Sequence, residues 1–165
     1  MSFIGSNNKY ISDPGSVHIL LCGHSFGHIM TVTRDFKPKH LEILTSEELL
    51  ENANELIHLL KDISSSITVI PAFSSSSIQD SISRILLKYK DLRSLFPKDK
   101  IYFGITGGTN TMAVSVAYAA LIAGVEMHYV LKPLGSAGSN EEIIFFRPKQ
   151  IFEQLNENIH SKGGY

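Results

Sequence analysis

Short apolar runs alternate with longer amphipathic stretches along most of the chain. Each apolar run is four to six residues long and is followed by a turn rich in glycine, serine or proline. Runs of this length are typical of buried strands, whereas apolar positions three and four residues apart are typical of helices that cover a sheet. The pattern predicts six strands, at Val17–Cys22, Leu41–Leu44, Ile67–Ile70, Ile101–Ile105, Glu126–Leu131 and Ile143–Phe146.

Helix start and stop signals lie between the predicted strands. Thr45 and Ser46 precede Glu47 and Glu48 in an N-cap signature, and the serine run 74–77 precedes another amphipathic stretch. Helices are predicted from the Gly23–Gly27 turn to about Phe36, from Glu47 to about Ile63, from Ile78 past Tyr89, from Asn110 to Gly124 and from Pro148 to about Ile159.

This order of elements indicates the fold class. Strands that alternate with helices need crossover connections, which place neighbouring strands parallel and cover both faces of the sheet. The sequence therefore predicts an α/β fold, a Rossmann-like three-layer sandwich with a mostly parallel six-stranded sheet. The loop 133–140 is too short for a helical crossover, so the last strand is expected to pair antiparallel at an edge. One domain is expected over residues 1–165, with a core at about 17–146 and a C-terminal helix at about 148–160.

Composition and charge exclude several classes of function. The formal net charge is −1, so the chain lacks the basic field that drives binding to duplex DNA. Apolar stretches such as 117–125 are far shorter than the roughly 20 residues that cross a bilayer, and residues 1–15 do not resemble a signal peptide. A cytoplasmic location without membrane contact is therefore expected. The single cysteine, Cys22, lies in an apolar run, which favours a buried thiol over a nucleophile.

The turn after the fourth strand is a candidate anion site. In open α/β sheets, ligands bind beyond the carboxyl ends of the strands, near the point where the strand order reverses. This turn reads Thr106-Gly107-Gly108-Thr109, so that glycines able to approach a ligand closely are flanked by hydroxyls at a helix N-terminus. Free N–H groups and the helix dipole there favour a phosphate oxygen. The alternative is that the glycines only make a tight turn and Thr109 only caps the helix.

The turn after the first strand offers a hydroxyl, an aromatic ring and two imidazoles. Phe26 is suited to stacking on a base, and the glycine spacing matches neither a Walker A loop nor a dinucleotide-binding motif. No cysteine cluster or neighbouring carboxylate supports a metal site at His24 and His28, so no metal and no cofactor are expected. The full turn is Gly23-His24-Ser25-Phe26-Gly27-His28. The histidines expected in the core or on the surface are His18, His58 and His128.

The fourth strand and the helix after it resemble a known family. The segment Ile105–Ala113, with Ala119 and Ala120 later on the helix, resembles the hallmark motif of CARF domains, the CRISPR-associated Rossmann-fold sensors of type III defence systems. The resemblance extends to the Gly23–Gly27 turn, to Leu41–Glu47 and to the strand that contains Tyr129, and so spans Val17 to about Phe146.

This resemblance implies a homodimer that binds cyclic oligoadenylate, with cyclic tetra-adenylate suited to a two-fold axis. The hallmark motif usually has lysine where this chain has Asn110, and Lys132 at the end of the fifth strand would compensate for the missing charge. The expected ligand-binding residues are Gly23, His24, Ser25, Phe26, Gly27, His28, Thr106, Gly107, Gly108, Thr109, Asn110, Met112 and Lys132.

Only one short helix follows the sheet, so the chain resembles the stand-alone ring nucleases of this family, which linearise the messenger. In that reaction a ribose 2′-hydroxyl attacks its own adjacent phosphate, without a metal, and leaves a 2′,3′-cyclic phosphate. Ser25, the Gly107 and Gly108 amides and Thr109 are the candidates for charge stabilisation. His24 or His28 is the candidate general base or acid.

Two other functions stay open at this point. The chain would be a non-catalytic CARF module, either a messenger-buffering protein or the sensor half of a longer effector, if it binds the ring without cleaving it. It would be a nucleotide-binding Rossmann domain unrelated to defence if nucleoside phosphates compete with the ring.

Overall fold

A computed structural model describes residues 12–75, 77–132 and 141–161, and the predicted loop 133–140 lies outside them. The strands are β1 (Val17–Leu21), β2 (His40–Thr45), β3 (Ser64–Val69), β4 (Ile101–Gly104), β5 (Met127–Leu131) and β6 (Glu142–Phe146). The helices are α1 (Gly27–Phe36), α2 (Leu50–Leu59), α3 (Pro71–Ser74), α4 (Ile78–Leu95), α5 (Asn110–Ala123) and α6 (Pro148–Ser161), and a 3₁₀ turn at Glu47–Leu49 precedes α2.

The six strands form one sheet in the order β3-β2-β1-β4-β5-β6. All neighbours are parallel except β5 and β6, which pair antiparallel with Met127 opposite Phe146 and Leu131 opposite Glu142. The predicted α/β, Rossmann-like fold is therefore confirmed. The strand order reverses between β1 and β4, so the loops after these two strands flank the topological switch point.

Helices pack on both faces of the sheet and bury the central strands. All five residues of β1 are buried, as expected for a parallel strand covered on both sides. Successive β1 side chains alternate between faces, so Val17, Ile19 and Leu21 join the cluster that includes residues of α4 and α5, whereas Leu20 joins the cluster that includes residues of α1 and α2. In the described part of the chain, no helix is long and apolar enough to cross a bilayer.

Several predicted boundaries were wrong. β3 begins at Ser64 rather than Ile67, because an edge strand with one partner can place serines on its half-exposed faces. α2 ends at Leu59 rather than near Ile63, and Ser46 makes no side-chain cap bond because the chain first tightens into the 3₁₀ turn. The short helix α3 was not predicted. In contrast, Ser77 caps α4 as expected, with its hydroxyl accepting from the N–H of Asp80.

A hydrogen-bonded histidine pair lies inside the sandwich. His18 Nδ1 is 3.0 Å from His128 Nε2, and His18 Nε2 is 3.0 Å from the hydroxyl of Ser16. Because the Ser16 hydroxyl donates to the carbonyl of Asp13, His18 must donate at Nε2 and His128 must donate at its own Nε2. Burial lowers the pKa of His128 to about 3 and lowers that of His18 well below its usual value. Both imidazoles are thus neutral at pH 7.

Candidate ligand-binding site

The loops after β1 and β4 touch each other backbone to backbone at the carboxyl edge of the sheet. A Cβ placed on Gly23 would lie 2.7 Å from the Gly108 nitrogen and 3.1 Å from the Gly108 Cα. No residue with a side chain fits at Gly23 unless one loop moves away from the other. The predicted pair of loops therefore forms one continuous surface at the switch point.

The loop between β4 and α5, residues 105–109, is shaped by its two glycines and is called the glycine loop below. Gly107 and Gly108 have φ of 90° and 68°, in the left-handed region where glycine carries no steric cost. The Met112 side chain packs beneath Gly108, and its sulfur accepts a hydrogen bond of 3.3 Å from the N–H of Thr109. Among the described residues, no acceptor is found for the N–H groups of Gly107, Gly108 or Asn110. These three donors are available to a ligand.

The two threonines of this loop have structural partners. The Thr109 hydroxyl accepts from the N–H of Met112 at 3.3 Å, which makes it the N-cap of α5, and lies 2.9 Å from the Thr111 hydroxyl. The Thr106 hydroxyl accepts from the N–H of Val130 at 2.7 Å and so ties the loop to β5. The two glycines thus make a tight turn and Thr109 caps the helix, and the same loop also has the free amides that an anion needs.

The loop between β1 and α1, residues 22–26, presents polar groups at its centre and is called the first loop below. His24 and Ser25 are exposed, whereas Phe26 is half-buried and packs against the core on the α1 side of the sheet. Phe26 therefore anchors the loop, and its ring is less free for base stacking than the sequence suggested. Gly27 is exposed and begins α1.

His28 joins the two loops. Its Nε2 donates to the carbonyl of Leu21 at 2.8 Å, and its ring lies against Gly107. Burial lowers the pKa of His28, although the hydrogen bond to Leu21 and the charge of Glu141 act in the opposite direction. At neutral pH the ring is accordingly neutral, with its proton on Nε2. His28 is placed to hold the loops together rather than to supply a positive charge.

The sequence matches no family model and no curated protein, but the fold matches solved structures. A protein from Vibrio cholerae aligns at TM-score 0.63 and 15% identity, over 77% of this chain and 35% of the other. Csm6 from Enterococcus italicus, bound to cyclic hexa-2′-fluoro-hexa-dAMP, aligns at TM-score 0.63 and 12% identity, over 91% of this chain and 41% of Csm6. Can2 from Sulfobacillus thermosulfidooxidans, in complex with cyclic tetra-adenylate, aligns at TM-score 0.52 and 15% identity, over 70% of this chain and 32% of Can2.

The fold is similar to that of the CARF domains of Csm6 and Can2. Sequence identity to these structures is distant, so the likeness concerns the fold. The chain spans 35% and 41% of the first two structures, which are therefore considerably longer proteins.

The site has one predicted cation, Lys132, because Asn110 is uncharged. Asn110 is exposed at the first position of α5, and Lys132 is exposed directly after β5. Within the described residues, no hydrogen bond or ion pair links the Lys132 side chain to either loop. The described surface of the two loops consists of amides, hydroxyls and imidazoles, so any anion there would be held mainly by neutral donors.

Two residues of the candidate site were not predicted from the sequence. Asn52 on α2 donates from Nδ2 to the carbonyls of His24 at 3.3 Å and Gly23 at 3.5 Å. Glu141, before β6, accepts from the hydroxyl of Thr31 and acts electrostatically on His28. Neither residue belongs to a motif, and only the packing of α2 and β6 against the first loop and α1 reveals their roles.

The remaining titratable groups are not arranged as a metal or thiol site. The described residues contain no cluster of three or more His, Cys, Asp or Glu side chains that would hold a metal ion. Cys22 is buried, and burial raises the pKa of its thiol to about 11. The prediction that Cys22 lies in the core is confirmed.

Proposed function

We propose that this chain binds a cyclic oligoadenylate across a homodimer and cleaves it without a metal, as a ring nuclease of type III CRISPR signalling. The observation that carries the proposal is the contact of the two loops at Gly23 and Gly108, at the switch point of a CARF fold. Two proteins with this fold are bound to a cyclic hexa-adenylate analogue and to cyclic tetra-adenylate.

The glycine loop has the N–H donors that a phosphodiester requires. The N–H groups of Gly107, Gly108 and Asn110 lack acceptors among the described residues, and they lie at the positive end of the α5 dipole. An α-helix N-terminus with free amides binds a phosphate oxygen without any cationic side chain. Each protomer would hold one half of the ring in this way.

An apolar surface beside the site fits a second copy of the chain. It lies on the outer side of α5 and on the adjoining face of β5 and β6, where Tyr129 and Ile144 are directly opposite. Since α5 begins at the glycine loop, a two-fold axis near this helix would bring two glycine loops together. The exposed apolar residues are Val114, Tyr118, Ile122, Tyr129, Leu131 and Ile144.

Replacing Tyr118 by glutamate is expected to yield a monomer that has lost ring binding. The side chain is 55% exposed, so its replacement should leave the core intact while a charge disrupts an apolar interface. Light scattering combined with a binding titration would test this. Leu87→Glu on α4, also exposed, is the matched control. A Tyr118→Glu protein that remains dimeric would contradict this interface.

Cleavage would be an internal transesterification. The 2′-oxygen loses its proton and bonds to the adjacent phosphorus. The bond from phosphorus to the 5′-oxygen breaks, and that leaving oxygen gains a proton. Ser25 and the glycine amides would stabilise the charge on the phosphorane, with Thr109 adding its hydroxyl dipole. His24, exposed beside Ser25, would exchange the proton.

The test of cleavage is incubation with radiolabelled cyclic tetra-adenylate in EDTA and chromatography of the products. Linear products that end in a 2′,3′-cyclic phosphate are expected, and they should disappear in Ser25→Ala and His24→Ala proteins that still bind the ring. Binding without products would instead favour a sensor or buffering module. That second candidate is supported by the greater length of the structural relatives.

Replacing Asn110 by lysine is expected to tighten ring binding about tenfold at low salt. The new ammonium would lie at the first turn of α5, beside the free amides, and would add one phosphate contact. Binding to the wild-type protein should depend weakly on salt, whereas the Asn110→Lys protein should show a steeper slope of log Kd against log salt. An Asn110→Gln protein controls for side-chain size. Equal slopes in all three proteins would contradict a phosphate position beside residue 110.

A further inference from the structure

The side chain of Asn52, on α2, hydrogen-bonds the backbone of the first loop. Its Nδ2 lies 3.3 Å from the His24 carbonyl and 3.5 Å from the Gly23 carbonyl, so one amide group holds two successive peptides. Asn52 is in the first turn of α2, a helix that carries none of the predicted site residues. Its contact therefore brings a third element of the fold into the site.

The direction of these carbonyls sets the direction of the next N–H groups. In a trans peptide, the C=O of one residue and the N–H of the following residue point to opposite sides. Because the carbonyls of Gly23 and His24 point toward Asn52, the N–H groups of His24 and Ser25 point away from it. Among the described residues, neither of these N–H groups has an acceptor. Two adjacent free N–H groups form the kind of concave backbone surface that binds anions.

We propose that Asn52 is a positioning residue that turns the His24 and Ser25 amides toward the ligand, where they bind non-bridging oxygens of a phosphodiester. The proposal rests on the proposed function for the identity of the ligand. Together with the Ser25 hydroxyl, these amides give the first loop three donors. They complement the free amides of Gly107 and Gly108 on the loop that touches it.

The remaining anchors of the loop explain why Asn52 matters. Gly23 is held against Gly108 at one end, and Phe26 is packed in the core at the other end. Between them, His24 and Ser25 are exposed, and no other described side chain bonds their backbone. The Gly23 carbonyl also accepts from the Cys22 thiol at 3.6 Å, whereas the His24 carbonyl has only Asn52 as a partner among the described residues. Without Asn52 the peptide between His24 and Ser25 is therefore free to rotate, and the two N–H groups lose a common direction.

The test is the pair Asn52→Ala and Asn54→Ala. Asn54 is an exposed residue of the same helix, so the two variants share their chemistry and differ in the loop contact. Alanine has the highest helix propensity, so neither change weakens α2 itself. The readouts are the amide chemical shifts of residues 23–26 in the free protein, the thermal midpoint, and the Kd for cyclic tetra-adenylate.

For Asn52→Ala we expect shifted amide signals at His24 and Ser25, a thermal midpoint near that of Asn54→Ala, and a Kd raised at least tenfold. Unchanged amides at His24 and Ser25 would overturn the proposal, as would amide changes with an unchanged Kd. If the wild-type protein binds neither cyclic tetra-adenylate nor cyclic hexa-adenylate, the proposed function fails. The amide signals of the free protein then still decide whether Asn52 positions the loop.

Discussion

Replacing Gly107 by alanine is expected to raise the Kd for cyclic tetra-adenylate at least about 100-fold, equivalent to about 2.7 kcal/mol. A Cβ at Gly107 would lie 2.5 Å from Cε1 and 2.6 Å from Nε2 of His28, and 3.2 Å from the Leu21 carbonyl oxygen. His28 cannot swing aside without breaking its hydrogen bond to Leu21. The φ of 90° adds backbone strain of about 1–3 kcal/mol for any residue other than glycine.

The glycine loop would therefore separate from the first loop, and the free amides on the two loops would no longer face one phosphodiester. Isothermal titration calorimetry on both proteins measures the effect. Gly15→Ala is the matched control, because a Cβ there meets nothing within 4 Å and its φ is not positive. A Gly107→Ala protein that binds within threefold of wild type would contradict the closeness of the two loops.

The protein is expected to lose stability steeply as the pH falls below about 6.5. The folded pKa values of His18 and His128 lie below the unfolded value, because burial disfavours their charged forms. Groups of this kind contribute stability that is present above the unfolded pKa and is lost as the pH falls toward the folded pKa. Each such histidine should remove about 1.4 kcal/mol of unfolding free energy per pH unit. For His128 the loss continues to a pH of about 3.

Urea unfolding between about pH 7.5 and 5 measures this slope. In that range the carboxyl groups of Glu42 and Glu48 do not interfere, because hydrogen bonds hold their pKa values below the ordinary acidic value. Burial also lowers the pKa of His28, so this residue adds an effect of the same sign. A His18→Phe and His128→Phe double variant should flatten the profile, whereas His58→Ala, an exposed histidine, should leave it unchanged. A wild-type profile that is flat from pH 7.5 to 5 would contradict a buried, neutral histidine pair.

Much of the fold could be predicted because parallel strands leave a strong signal in the sequence. Buried strands such as β1 and β4 are mostly apolar on both faces, so Val17–Leu21, in which His18 is the one polar residue, and Ile101–Gly104 stand out as short apolar runs. The two loops of the candidate site were also predictable, because glycines beside a helix N-terminus mark the place where a backbone must turn tightly. Gly107 and Gly108 have the positive φ values that this interpretation requires.

Other features depend on contacts between distant residues and leave no local pattern. The serines of β3 form a strand because Ser66 and Thr68 donate to the buried carboxylate of Glu42 on the neighbouring strand. The role of Asn52 appears only when α2 is packed beside the first loop. His28 resembled a candidate base in the sequence, but its bond to Leu21 makes it a connection between the loops.

Calorimetric titration of the wild-type protein with cyclic tetra-adenylate tests the central claim most directly. Symmetric presentation of the two loops predicts saturation at one ring per two chains, with heat that is abolished by Gly107→Ala and retained by Gly15→Ala. The absence of heat with both cyclic tetra-adenylate and cyclic hexa-adenylate, at protein concentrations where the dimer is formed, would contradict the assignment of this site to a cyclic oligoadenylate.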